Sequence, residues 1–147
     1  MGSRDADIDF TFWRPTTVGA VLEALTDAGW SAVELGGRIT YMVNDADDMH
    51  EWYDSAPEGV DEVLAVLDAT ENLPYAVALN VYHHGAGTGG MLLFLTGRTD
   101  VSFVPDIDRR LLPEAPEFTD LAWYLHTLVP ALVAAGLKAY EAHEIRY

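Results

Sequence analysis

The chain has 147 residues, no cysteine and a single lysine, Lys138. Without thiols there can be no disulfide, no thiolate-bound zinc, no iron–sulfur cluster and no cysteine nucleophile. Long hydrophobic runs are missing too. The most apolar stretch, Leu128 to Leu137, is interrupted by Pro130 and Gly136, and spanning a bilayer takes about 20 apolar residues. Met1 to Asp9 carries four charges and no apolar segment of the kind an export signal needs, so the expectation is a cytoplasmic protein. Basic residues are few: 8 lysines and arginines face 24 acids, giving a net charge of −16. Such a chain repels nucleic acid and anionic membranes at long range, so a macromolecular partner should be basic.

What is present suits one globular domain over residues 1–147. Half the residues are hydrophobic and 22% are charged, which is ordinary folded composition. A chain of about 150 residues can bury roughly 70% of its unfolded surface without a metal or disulfide staple. Ile8 to Trp13 reads as a strand stopped by Pro15. Thr16 or Thr17 can cap a helix whose apolar positions Val18, Val21, Leu22 and Leu25 follow helical spacing, with Gly29 placed to end it. Trp30 to Leu35 and Arg38 to Val43 look like a hairpin turning at Gly36-Gly37. The acidic segment Asn44 to Ala56 has room for a short helical turn. Ser55 and Glu58 have capping-box spacing ahead of a helix from Ala56 to about Thr70, with Val60, Val63, Leu64 and Leu67 facing the core.

Tyr75 to His83, Met91 to Thr96 and Val101 to Val104 read as a meander of strands, the first two joined by the glycine-rich loop Gly85 to Gly90. A proline-interrupted connection leads to a final helix from about Thr119 to Ala135, ended by Gly136. Alternation over Ala139 to Ile145 suits an edge strand. The order β-α-ββ-α-βββ-α-β predicts an α+β fold, a mainly antiparallel sheet with helices packed on one face.

No motif carries decisive chemistry. Gly85 to Gly90 fits the G-x-G-x-x-G spacing, but the strand-like residues after it leave no helix to hold a pyrophosphate, so a mobile hairpin loop is expected. His83 and His84 open that loop, and neighbours on a strand point to opposite faces, so one metal ion cannot readily take both. A pocket around them is the enzymatic alternative: a small-molecule-binding or hydrolytic site with a carboxylate turned toward one histidine. His126 reads as a packing residue, and Ser3, Ser31, Ser55 and Ser102 include no nucleophile elbow. Asp45, Asp47 and Asp48 lack the spacing of a calcium loop. No cofactor and no metal site is expected.

Charge distribution is the strongest signal. Residues 1–75 hold 16 acids and 3 bases, while residues 76–147 hold 8 and 5. No lysine or arginine lies between Arg38 and Arg98. Within that gap Asp45, Asp47, Asp48, Glu51 and Asp54 surround Trp52 and Tyr53. Carboxylates steer a basic partner and aromatics supply contact energy, so these seven residues form the expected partner-binding surface. Solubility, adaptation to high salt, or a core role for the two aromatics explain the same residues otherwise. In size and charge the chain is similar to the acidic immunity proteins and antitoxins that block nuclease toxins. That likeness implies a non-enzymatic module that captures a basic protein such as a nuclease. A homodimer paired through the C-terminal strand stays open beside it.

Overall fold

The computed structural model describes residues 4–44 and 51–146. Among the described residues, ten strands and three α-helices follow one another. Strand β1 (Arg4–Phe12) leads into α1 (Val18–Thr26), β2 (Trp30–Ser31), β3 (Ile39–Val43) and β4 (Trp52–Ser55). Helix α2 (Val60–Leu67) then precedes β5 (Val77–His83), β6 (Thr88–Phe94) and β7 (Asp100–Ile107). The small strands β8 (Leu111–Leu112) and β9 (Ala115–Thr119) come before α3 (Leu121–Val133) and β10 (Leu137–Arg146).

The main sheet runs β10-β1-β7-β6-β5-β3-β4, with β2 paired to one end of β5 and every pairing antiparallel. The α+β class and the mainly antiparallel sheet therefore stand as read from the sequence. Alternation explains the core. Ile8, Phe10 and Phe12 point to one side of β1 and are buried, as are Val101 and Phe103 on β7 and Leu92 and Phe94 on β6. On that same side they meet Val21, Leu25, Val63, Leu67, Tyr124, Leu128 and Leu132 from the three helices in one apolar cluster.

The starts of α1 and α3 have a local cause. Thr17 Oγ1 accepts from the Ala20 amide, and Asp120 Oδ1 accepts from the Trp123 amide. Asp68, just past α2, reaches across to accept from the Val18 and Gly19 amides at 2.7 and 3.0 Å, so the end of α2 caps the start of α1. Arg98, buried in a left-handed turn at φ 58°, donates to the carbonyls of Asn72, Tyr75 and Leu95 and ties two loops together. Burial pulls its pKa below the ordinary value, and the charge of Asp68 pushes the other way.

Several local expectations are corrected. Ser55 and Glu58 form no capping box: the Ser55 hydroxyl donates to the Ala56 carbonyl, and Pro57–Gly59 is a 3-10 turn ahead of the helix. Of the four apolar positions in that helix, Val63 and Leu67 are buried while Val60 and Leu64 pack at the rim of the core. The helical turn expected within Asn44 to Ala56 is, in its described part, strand β4. The hairpin at Gly36-Gly37 shrinks to a single bridge, Val33 to Ile39, because β2 pairs with β5 instead.

The glycine-rich segment is not one loop either, since Gly89 and Gly90 lie inside β6, both buried. A Cβ on Gly89 would come within 2.5 Å of the Val81 carbonyl oxygen, and one on Gly90 within 2.6 Å of the Phe103 ring. These glycines permit close approach of neighbouring strands.

Candidate functional site

The helices pack on one face of the sheet, and strand register aligns a single row across the other, in which Ala78 and Met42 are buried. Glu141 on β10 faces Asp9 on β1, followed by Ser102, Leu93, Ala78, Met42 and finally Trp52 on β4. The row therefore starts acidic, passes through a serine and ends apolar. Trp52 keeps 43% of its surface exposed at the end of the row. Beside it lies a hollow of about 400 Å³ lined by Met42, Asn44, Trp52, Ala76, Met91 and Leu93. Asn44 Oδ1 is buried there with no hydrogen-bond partner among the described residues, a cost of about 1–3 kcal/mol for an acceptor left unmet.

Of the seven residues expected to form the partner surface, Asp45, Asp47 and Asp48 lie outside the described residues. The other four are divided by the pleat of β4. Trp52 and Asp54 share the open face, Asp54 accepting from the Thr40 hydroxyl at 2.9 Å and from Arg38 at 3.4 Å. Tyr53 points to the helix side, where its ring lies 5.7 Å from that of Tyr41. Its hydroxyl donates to Glu51 at 3.1 Å. Both aromatics are partly exposed, but adjacent residues on a strand cannot share one patch.

At the acidic end of the row, His143 stands across from Asp7, next to the Asp9–Glu141 pair. His143 Nδ1 is 2.5 Å from Asp7 Oδ1, and Nε2 is 3.8 Å from Asp9 and 3.9 Å from Glu141. The hydrogen bond to Asp7 and then its charge raise the His143 pKa above its ordinary 6.5. Asp7, Asp9 and His143 could each turn a ligand atom to within 4.8 Å of the others. All three are solvent-accessible, and the imidazole already satisfies Asp7.

The histidines of the alternative pocket are held by the backbone. His83 Nδ1 accepts from the Ala86 amide at 3.1 Å, and His84 Nε2 donates to the Val33 carbonyl at 2.7 Å. The His83 ring is also wedged edge-on between Trp30 and Trp123, each 5.4 Å away. A hollow of about 350 Å³ beside them includes Glu34 and Asp108, yet among the described residues neither histidine is hydrogen-bonded to a carboxylate. The nearby Tyr82 hydroxyl is raised above its ordinary pKa, chiefly by burial, and stays neutral. These side chains shape the start of β6 and show no acid–base pair.

Two polar networks went unnoticed in the sequence. Beneath the helices the Arg110 amide donates to the Tyr124 hydroxyl, which donates to Thr88 Oγ1, which donates to the Ile107 carbonyl. Near the end of β10, Glu144, its side chain only 6% exposed, accepts from the Thr119 amide and hydroxyl, with Arg109 at 4.0 Å. Both rest on residues far apart in sequence, and no local pattern marks them.

No family model matches the chain, and neither the curated proteins nor the solved structures include a similar one. Among the described residues no helix is long and apolar enough to cross a membrane.

Proposed function

We propose that the protein is a non-enzymatic binding module that captures a basic protein on the open face of its sheet, in the manner of an acidic inhibitor. The observation that carries this reading is the exposed Trp52 beside a hollow at the apolar end of the row. Leu93, Met42 and Trp52 surround a hollow with an unmet acceptor, Asn44 Oδ1, on a chain of net charge −16. Apolar side chains of the partner would cover Trp52 and enter the hollow beside it. Asp7, Asp9 and Glu141 at the far end of the face, and Asp54 beside Trp52, attract such a partner before contact. A tryptophan beside a hollow is the side chain most often found at the energetic centre of an interface.

Affinity capture from source lysate at low and high salt tests the proposal. The unmodified protein should retain a basic protein that salt releases. Trp52→Ala should weaken that complex by at least about 30-fold, equivalent to 2 kcal/mol or more. Tyr53→Ala, altered on the other face, should retain it. An empty column, or equal retention by Trp52→Ala, would refute the assignment.

A further inference from the structure

The sheet has two edges, and they differ in character. Strand β4 at one edge is four residues long and includes Asp54. Strand β10 at the other is ten residues long, contains neither proline nor glycine, and among the described residues pairs only with β1. Its unpaired side presents a row of backbone donors and acceptors, the template that folded proteins normally blunt with short strands, bulges or prolines. Tyr140 and Ile145 on this strand are 48% and 52% exposed.

Charge sets the strand apart as well. Lys138 and Arg146 balance Glu141 and Glu144, so β10 is neutral apart from His143, on a chain of −16. We infer that β10 pairs antiparallel with β10 of a second copy about a two-fold axis through Ala142, joining two sheets into one. In this register Ala142 meets the partner's Ala142, Glu141 meets the partner's His143, and Ala139 meets the partner's Ile145. The smallest side chain sits on the axis, where identical residues face each other. Opposite charges flank it twice, because the two-fold repeats the Glu141–His143 pair, and Ile145 is covered by an alanine. Lys138 opposite the partner's Arg146 is the one like-charged pair, at the ends of the ladder where screening is greatest.

Centring on Ala142 pairs residues 138–146 of the strand, and a centre at Glu141 would pair as many but set that carboxylate against its own copy on the axis. An axis perpendicular to the sheet keeps both helical layers on one side, so the two open faces form one continuous surface. The inference stands independently of what that face binds.

The absence of native cysteine makes the register directly readable. Sedimentation of the unmodified protein at physiological salt should give twice the 16.2 kDa chain mass. Under oxidised glutathione, Ala142→Cys should cross-link to itself at least about tenfold faster than Ile145→Cys, since only residue 142 faces its own copy at high effective concentration. If Ala142→Cys fails to fold, an equimolar mixture of Ala139→Cys and Ile145→Cys chains reads the same register. The mixture should cross-link, and neither variant should do so alone. A monomer at every accessible concentration would overturn the inference, as would equal cross-linking at positions 142 and 145 or a mixture no more reactive than its components.

Discussion

Asp68 offers a sharp test of how the helical layer is held, because one carboxylate does two separable jobs. It accepts from two amides at the start of α1, which is only nine residues long. Losing a helix-capping acceptor costs about 1 kcal/mol, with a range of roughly 0.5–2. A negative charge beside a helix N-terminus adds about 0.3–1 kcal/mol. Asp68 also supplies the anion that favours the charged form of the buried Arg98 guanidinium. Asp68→Ala should therefore destabilise by about 2 kcal/mol, and at about 2–4 °C per kcal/mol for a domain of this size the melting temperature should fall by about 4–8 °C. Thr17 still caps Ala20, so the helix weakens without being abolished. Asp68→Asn keeps one acceptor oxygen and removes the charge. The gap between the Ala and Asn variants then reports one amide hydrogen bond, and that between Asn and the unmodified protein reports the charge together with the second. Calorimetry on the three proteins decides. If Asp68→Ala melts within about 1 °C of the unmodified protein, well below what the cap is worth, the cross-helix cap has no energetic role.

Three further outcomes follow from the same geometry. Gly90→Ala should destabilise by at least the roughly 1–3 kcal/mol of an overpacked core, because its Cβ has no room beside the Phe103 ring; an unchanged urea midpoint would contradict the close strand approach. Tyr124→Phe removes the middle of a buried hydrogen-bond chain, leaves the Arg110 amide unmet and should cost about 1–3 kcal/mol, read as a loss of unfolding free energy with little change in fold by circular dichroism. By NMR titration His143 should lose its proton above pH 6.5, and Asp7→Asn should bring it back toward that value. Because its folded pKa is raised, the stability it adds is complete below the unfolded value and fades as pH climbs through the folded one; titration at or below 6.5 in the intact protein would break the Asp7 pairing.

The helices were legible because their causes are local. Val18, Val21, Leu22 and Leu25 repeat at helical spacing behind Thr17, and Gly136 at φ +96° ends the turn after α3. The strand Trp52–Ser55 was hidden because both its faces are partly exposed, so no contrast between buried and solvent positions marks its period. Pro113 and Pro116 disguised β8 and β9. Gly89 and Gly90 were misread for a different reason: their purpose lies in Val81 and Phe103 on neighbouring strands, and nothing adjacent in sequence reveals it. The candidate site was half legible. Trp52 and Asp54 were found through charge and aromatic content. The row that gives them a surface joins Asp9, Ser102, Leu93, Ala78 and Met42, residues that only the register brings into line.

The place of β1 in the sheet bears on how the chain reaches this fold. Its neighbours are β7 and β10, and the Asp7–His143 contact closes a separation of 136 residues. Pairings this distant in sequence fold slowly, since a large loop must close before any contact stabilises it. During synthesis β7 emerges well before β10, so for a time β1 is itself the edge of the growing sheet. Ile8, Phe10 and Phe12 then lie beside an unpaired backbone. An unpaired strand edge with apolar side chains is prone to aggregate, which places the chain's most vulnerable interval between the emergence of β7 and that of β10.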